Sequence, residues 1–363
     1  MRIGLIRRKY DQSGGAELSL RLLADGFLKN NHQVAVMAQS WQGQAPAGME
    51  FYRIDARRGR VGGLYSFARN AFLQMQGLQL DTCLSLERVP GVSFFRAGDG
   101  CHMAWLERRA RYEKWYKRHT FMLNPLHRAQ LRLEKETMLH PDMKIIIANS
   151  HMVAEEVKKY YGLDDAKIRV VYNPGDEKRL LAFSDSDAGQ SLREELALDG
   201  SAQVLLFLGS GFARKGLAFI IRALRFMPGV VLLVAGYGRS GVYERLARKE
   251  AVGDRVKFLG LRSDVERLLA ACQALVLPTI YDPCANVCLE ALAAGKPVVT
   301  TYSNGACELV ENGVNGFLLA MPEDARELAQ ACLKALDLPG PVSAELNSKE
   351  NWLLQISRAI GVE

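Results

Sequence analysis

The chain has 363 residues, 48% of them hydrophobic and 24% charged. That composition excludes wholesale disorder, and the length is too great for one ordinary core, so two domains are expected. A formal charge of +7 suits a polyanionic partner, which leaves nucleic acid, an acidic membrane surface and phosphorylated substrates open.

In chain order, "RIGLI", "QVAVMA", "DTCLSL", "VSFFRA", "KIIIANS" and "IRVVYN" read as strands of the first half. Helical patterns follow several of them, beginning with "AELSLRLLADGFLKN". A Pro-Gly turn with charges around "YNPGDEK" (172–178) suggests a hinge. In the second half the strands "QVLLFLGS", "VVLLVAGYG", "VKFLG", "QALVLPT", "PVVTT" and "GFLLA" alternate with helical segments from "KGLAFIIRALRFM" to "DARELAQACLKALD". "ACELVENG" reads as one of those helices. Such alternation predicts α/β domains with parallel, doubly wound sheets. The expected boundaries are 1–174, with a basic helical insertion at 104–140, and 175–345. A last helix, 346–363, would need a partner surface, expected on the first domain. Two hinged sheets predict a cleft at the carboxyl ends of their strands, where α/β proteins bind ligands.

Seven cysteines, an odd number without a CxxC pair, argue against a disulfide framework and for a reducing compartment. The opening "MRIGLIRRKYDQSGG" is too interrupted by charge for a signal peptide, and no apolar run is long enough to span a membrane. A cytoplasmic protein is expected.

Three loops after strands stand out. In "DQSGGAEL", Gly14 and Gly15 let backbone approach a ligand at a helix N-terminus, where free amides favour anions; a plain strand-to-helix turn would look the same. The spacing is not GxGxxG, which argues against a dinucleotide cofactor. In "GSGFARKGL", Gly209 and Gly211 open the loop, and Arg214 and Lys215 arrive together at what reads as a helix start. Cations there oppose the helix dipole unless an anion sits between them; a diphosphate would serve, and a solvated basic turn is the alternative. In "IYDPCANVCLEALAAGKPVVTT", Asn286 fits an N-cap, Asp282 lies in the loop and Glu290 falls roughly 6 Å along the helix. The amides of 285–288 (Ala285, Asn286, Val287 and Cys288) could hold phosphate between the two carboxylates. Cys284 and Cys288 lack companions for a metal site, and no metal is expected.

Together "SGGAEL", "GSGFARKGL", the D-x7-E pair and "GACELVENGVNGFLL" resemble the retaining group-1 (family 4) glycosyltransferases, in order and over nearly the whole length. The resemblance implies a GT-B fold: two Rossmann-like domains facing each other across a cleft. "QSWQG", "DGCHMAW" and the basic insertion are more narrowly similar to glucosyltransferases of bacterial lipopolysaccharide-core assembly. It implies a nucleotide diphosphate sugar, UDP-glucose first, as donor and a saccharide or glycolipid as acceptor. Arg214 and Lys215 would hold the diphosphate, Glu290 the ribose and Asp282 the sugar hydroxyls. Gly14, Gly15 and Gly209 would approach the donor, and Arg262 in "GLRSDV" would lie in the loop that meets the nucleobase. Asp99 would handle the acceptor hydroxyl, with His102 beside it. The family usually carries Glu where this chain has Asp282; the missing methylene shortens reach by about 1.5 Å. Competing readings are a mannosyl- or N-acetylhexosaminyltransferase, a nucleotide-sugar 2-epimerase on the same fold, and a non-catalytic binding protein.

One stretch lies outside the donor motifs. Residues 105–118 read as one helix with six Lys/Arg against two Glu and interleaved aromatic rings. Trp105, Arg108, Arg109, Lys114, Trp115 and Lys117 suit an anionic inner-membrane surface better than nucleic acid, because no nucleic-acid module accompanies them. A solvated helical cover is the bland alternative.

Overall fold

The computed structural model describes residues 1–10, 15–113, 115, 120–175, 186–339, 342 and 344–362. Gly14, Lys114, Lys117 and part of the expected hinge lie outside the described residues. The chain divides into two units, Met1–Asn173 with Lys349–Glu363, and Pro174–Ser348.

The first unit begins β1 (Arg2–Ile6), β2 (Lys9–Tyr10), α1 (Gly15–Lys29), β3 (Gln33–Ala38), β4 (Ser40–Trp41), β5 (Met49–Arg53) and α2 (Arg60–Gly77). It continues with β6 (Thr82–Ser85), β7 (Phe94–Arg96), α3 (His102–Tyr112), α4 (Pro125–Met138), β8 (Ile145–Ala148), α5 (His151–Tyr161) and β9 (Ile168–Val170). Seven of these strands form one parallel sheet in the order β5-β3-β1-β6-β7-β8-β9. The central strands are apolar on both faces because helices cover both, so Ile3, Leu5, Val34, Val36 and Leu84 are fully buried. The edge strand β5 keeps an exposed side, and the short β2–β4 pair stacks Tyr10 on Trp41. None of β2, β4 and β5 was expected from the sequence.

The second unit runs α6 (Ser186–Glu195), β10 (Val204–Leu208), α7 (Phe212–Lys215), α8 (Leu217–Ala223), β11 (Val231–Ala235), α9 (Ser240–Lys249) and β12 (Val256–Gly260). It continues α10 (Val265–Ala271), β13 (Ala274–Leu277), α11 (Asn286–Ala293), β14 (Val298–Thr301), β15 (Gly316–Leu319) and α12 (Ala325–Leu336). Its parallel sheet has the order β12-β11-β10-β13-β14-β15. "ACELVENG" is a 3₁₀ turn over Gly305–Leu309 rather than an α-helix, with Asn304 Oδ1 accepting from Ala306 N at its start.

The last helix, α13 (Lys349–Ala359), returns to the first unit. Trp352, Ile356 and Ile360 enter that core against Leu20, Leu23 and Phe27. The approach to α1 is close enough that a Cβ at Gly26 would meet Leu353 at 2.5 Å.

Both sheets share one plan. Strand order reverses between β1 and β6 in the first unit and between β10 and β13 in the second. Loops leaving such neighbours diverge to opposite faces and open a crevice at the carboxyl ends of the strands.

Candidate active site

In the second unit the charged side chains gather at that reversal. Arg214 and Lys215 follow β10 and Asp282 follows β13. Asp282 Oδ2 lies 2.8 Å from Arg214 Nη1 and 3.4 Å from Lys215 Nζ. The arrangement is fixed from several sides. The Arg214 carbonyl accepts from Ile280 N at 3.0 Å and Thr279 Oγ1 at 2.9 Å, and Arg214 Nη1 donates to the Tyr281 carbonyl at 2.8 Å. Asp282 N donates to Ser303 O and Asp282 O accepts from Gly305 N, each at 2.9 Å.

Two glycines permit this geometry. Gly216 (φ +83°) lies where a Cβ would sit 1.9 Å from the Pro278 carbonyl, so the loops after β10 and β13 meet only with glycine there. At Gly209 (φ +139°) a Cβ would strike the Lys215 side chain at 2.8 Å, so glycine lets that chain lie across the backbone.

Two expectations change here. Arg214 and Lys215 do not stand at a helix start: they close the one-turn α7, and the next helix begins beyond Gly216. The expected conflict with a helix dipole therefore does not arise, and the anion between the two cations is Asp282 itself. Nor do the two cations form the solvated basic turn that was the alternative: Lys215 is buried, whereas Arg214 keeps about a third of its side chain open (34%). Burial pushes the Asp282 carboxyl up, but Lys215 and Arg214 together outweigh it and hold the group below the usual carboxylate range.

The loop into α11 is stapled by Asn304, a residue that sequence reasoning did not single out. Its Oδ1 accepts from Ala285 N and Ala306 N, both at 3.1 Å, and its Nδ2 donates to Thr300 Oγ1 at 3.0 Å. Asn286 is therefore not the N-cap. Ala285 holds that position, and a side chain from a distant loop does the capping. The Ala285 amide is engaged in this way, and the Cys288 amide donates to Ala285 O at 2.9 Å. Glu290 lies one turn along, and Asn286, Val287 and Glu290 share the partly exposed face of α11 while Cys288, Leu289, Ala291 and Leu292 enter the core. Arg262 is clamped to Asp264 at 2.8 and 2.6 Å and approaches Glu195 at 3.5 Å, so its guanidinium braces the loop after β12.

The first unit carries a second cluster, again at its reversal point. Arg7 follows β1, Glu87 follows β6, and Asp99 sits in a turn after β7. Arg7 Nη1 lies 3.5 Å from both Glu87 Oε1 and Asp99 Oδ2. About half of the Asp99 side chain is open to solvent (52%). Burial of its surroundings pushes the carboxyl up, yet Arg7, Arg88 and Arg96 hold it below the ordinary range. The turn itself is held by Asn149, whose Nδ2 donates to Gly98 O at 3.2 Å.

His102 is nearly buried and turned toward α4, where its Nε2 lies 3.0 Å from His127 Nδ1. Burial, Arg88 and His127 push it down to about 3, so it is neutral at neutral pH. Its backbone N–H meets the carboxylate of Glu134, a fully buried group that also accepts from Arg88 Nε at 2.8 Å and from the Tyr161 hydroxyl. Glu134 thus caps α3 from a neighbouring helix, which a local reading of the sequence does not show.

The basic stretch is not one helix through 118. α3 stops at Tyr112, with Glu113 extended (ψ 152°) and ion-paired to Arg109 at 3.0 Å. Arg108 is paired with Glu156 of α5 at 2.8 Å, so it braces the fold rather than standing free on a membrane face. Arg109 also lies over the Phe121 ring. Trp105 is half-buried beside Arg109, and Trp115 is exposed.

A model described as "Glycosyl transferases group 1" matches residues 202–337, and one described as "Glycosyltransferase Family 4" matches residues 13–179. The chain is 25% identical over 338 residues to the lipopolysaccharide glucosyltransferase WaaG of Escherichia coli, covering 90% of this chain and 87% of that one. It is 32% identical over 188 residues to the lipopolysaccharide core biosynthesis glycosyltransferase LpsE of Rhizobium meliloti, covering 51% and 52% of the two chains. In structure, WaaG matches with a TM-score of 0.80 at 23% identity, covering 99% of this chain and 95% of that one. HepE of Anabaena, solved with UDP-glucose, matches with a TM-score of 0.67 at 19% identity over 99% and 95%.

Proposed function

The chain belongs to the group-1, family 4 glycosyltransferases of GT-B fold, and from that premise we propose that it moves glucose from UDP-glucose to a saccharide of the lipopolysaccharide core with retention of configuration. The observation that carries the donor side is the meeting of Arg214, Lys215 and Asp282 where the second sheet reverses. The glucosyl donor and the acceptor class are supported by the likeness to WaaG and LpsE, and UDP-glucose by the HepE complex.

In this reading the bond from the anomeric carbon to the diphosphate oxygen breaks and a bond to the acceptor oxygen forms. Negative charge grows on the diphosphate, so fixed cations there lower the barrier. Arg214 offers a planar fork and Lys215 a point charge, with the α11 amides adding partial positive charge and Glu290 taking the ribose. A carboxylate held below its usual range, as Asp99 is, is a weak base. Asp99 therefore orients the acceptor hydroxyl by accepting its hydrogen bond, and the proton passes to the departing phosphate oxygen. No divalent metal is required in this scheme. The test is incubation with UDP-, GDP- or ADP-glucose and a core saccharide in excess EDTA. Transfer is expected from UDP-glucose at an undiminished rate, and abolition by the chelator would refute the metal-free scheme.

The acceptor is proposed to be met at the cytoplasmic face of the inner membrane. Exposed Trp115, Met122 and Leu123 support that placement, and no described helix is long and apolar enough to cross a membrane. Co-sedimentation with vesicles containing phosphatidylglycerol is expected, and Trp115→Ser with Leu123→Ser should reduce it severalfold. Wild-type protein left in the supernatant would refute it.

A further inference from the structure

The motif "QSWQG" plays no part in the donor site, and it stands at the carboxyl end of the first sheet. β4 pairs with β2 beyond the ends of β3 and β1, and there Tyr10 and Trp41 stack with ring centroids 3.9 Å apart and planes 11° apart. Tyr10 is the inner ring, 4% exposed, while Trp41 is partly exposed, so the open part of the indole lies away from Tyr10. Phe51 meets Trp41 edge to face at 6.5 Å and is itself 40% exposed. Trp41 Nε1 has no hydrogen-bond partner among the described residues, so stacking and packing fix the ring. Gln39, Gln42 and Gln44 flank it in sequence, and their side chains form no hydrogen bond among the described residues.

We propose that Trp41, backed by Tyr10, is a stacking platform for a further sugar ring of the acceptor, beyond the ring that takes the glucose. This rests on the reading of the acceptor as a saccharide and of Asp99 as the group that orients its hydroxyl. A sugar ring offers C–H groups on one face and hydroxyls on its rim, and a flat indole with amides beside it answers both. Trp41 lies three residues past the end of β3, and Asp99 three past the end of β7. Those strands are three positions apart in the sheet, about 14 Å at ordinary strand spacing. That gap is longer than one sugar ring, so a single ring at Asp99 would not reach Trp41 and a longer saccharide would. The platform therefore selects for the length of the acceptor while leaving the reacting centre alone.

The test uses saturating UDP-glucose with two acceptors, a core oligosaccharide and its terminal sugar alone. Trp41→Leu is expected to raise KM for the oligosaccharide about tenfold with kcat little changed, the mark of lost uniform binding. KM for the terminal sugar and for UDP-glucose should stay within about twofold, and Trp41→Phe, which keeps a ring, within about threefold of wild type throughout. A Trp41→Leu KM within threefold of wild type for the oligosaccharide, or an equal loss with both acceptors, would overturn the platform. Binding is read separately, without donor. The tryptophans are Trp41, Trp105, Trp115 and Trp352, and Trp352 is fully buried. In the double variant Trp105→Phe with Trp115→Phe, the oligosaccharide should therefore change the fluorescence saturably, and adding Trp41→Phe should abolish the change. Unchanged emission in the double variant would overturn the platform, even where Trp41→Leu fails to fold. A saturable change with no transfer of glucose would leave the platform standing and remove the proposed reaction instead.

Discussion

Arg214→Gln is expected to lower kcat for glucosyl transfer about 100- to 1,000-fold, the effect of removing one fixed donor aimed at developing charge. The guanidinium is one-third open, so part of its fork can meet an incoming phosphate oxygen. Gln keeps a hydrogen-bond donor but no charge and no fork, so most of the loss should fall on the transition state. In that case kcat and kcat/KM drop together and KM moves little. The fold should survive, because the backbone of Arg214 remains held by Ile280 and Thr279 and the Lys215–Asp282 pair persists. Steady-state kinetics alongside a melting curve would check this. A variant within threefold of wild type would remove Arg214 from the diphosphate.

Glu134→Ala is expected to reduce the stability of the first unit by about 3–5 kcal/mol, the cost of stranding a buried charge. Glu134 is fully buried and accepts from Arg88, from the His102 backbone N–H at the start of α3 and from Tyr161. Without it the guanidinium of Arg88 loses its ion pair at 2.7 Å, keeping its bond to Gly100 O at 3.2 Å and the weaker attraction of Asp99 and Glu87, and α3 loses its cap. The two losses act on one element, so they are not additive with further changes in that network. Urea unfolding followed through the first-unit transition measures the loss, and a change below about 1 kcal/mol would contradict the hub role.

The parts legible in the sequence were those decided locally. Central strands such as β1, β3, β10 and β11 are buried on both faces, and their unbroken apolar runs declare it. β5 was not legible because "MEFYR" lies at a sheet edge with an exposed side, which gives no continuous run. The end of α3 carried no Gly or Pro; Glu113 turns extended while pairing with Arg109, so 105–118 looked like one helix. At the candidate site, residue types on the loops after β10 and β13 pointed to Arg214, Lys215 and Asp282 as candidates, and the family resemblance pointed to Asp99. Their partners did not show. Arg7 meets Glu87 and Asp99 across long stretches of chain, Asn304 replaces Asn286 as the cap of α11, and Asp282 supplies the anion that the cationic pair calls for. Each is a product of strand order, which brings together loops that are remote in sequence. The environment of Lys215 was likewise invisible, since its burial depends on Gly209 and the loop from β13.

The central claim is glucosyl transfer to a saccharide with a metal-free diphosphate cradle. The most direct measurement is the proton NMR spectrum of the reaction with UDP-glucose and a core saccharide in EDTA, read at the anomeric resonance. An α-linked product that forms only when the saccharide is present, with UDP released in equal amount, is the result expected. A β-linked product, or UDP-glucose converted at the same rate with no saccharide present, would contradict it.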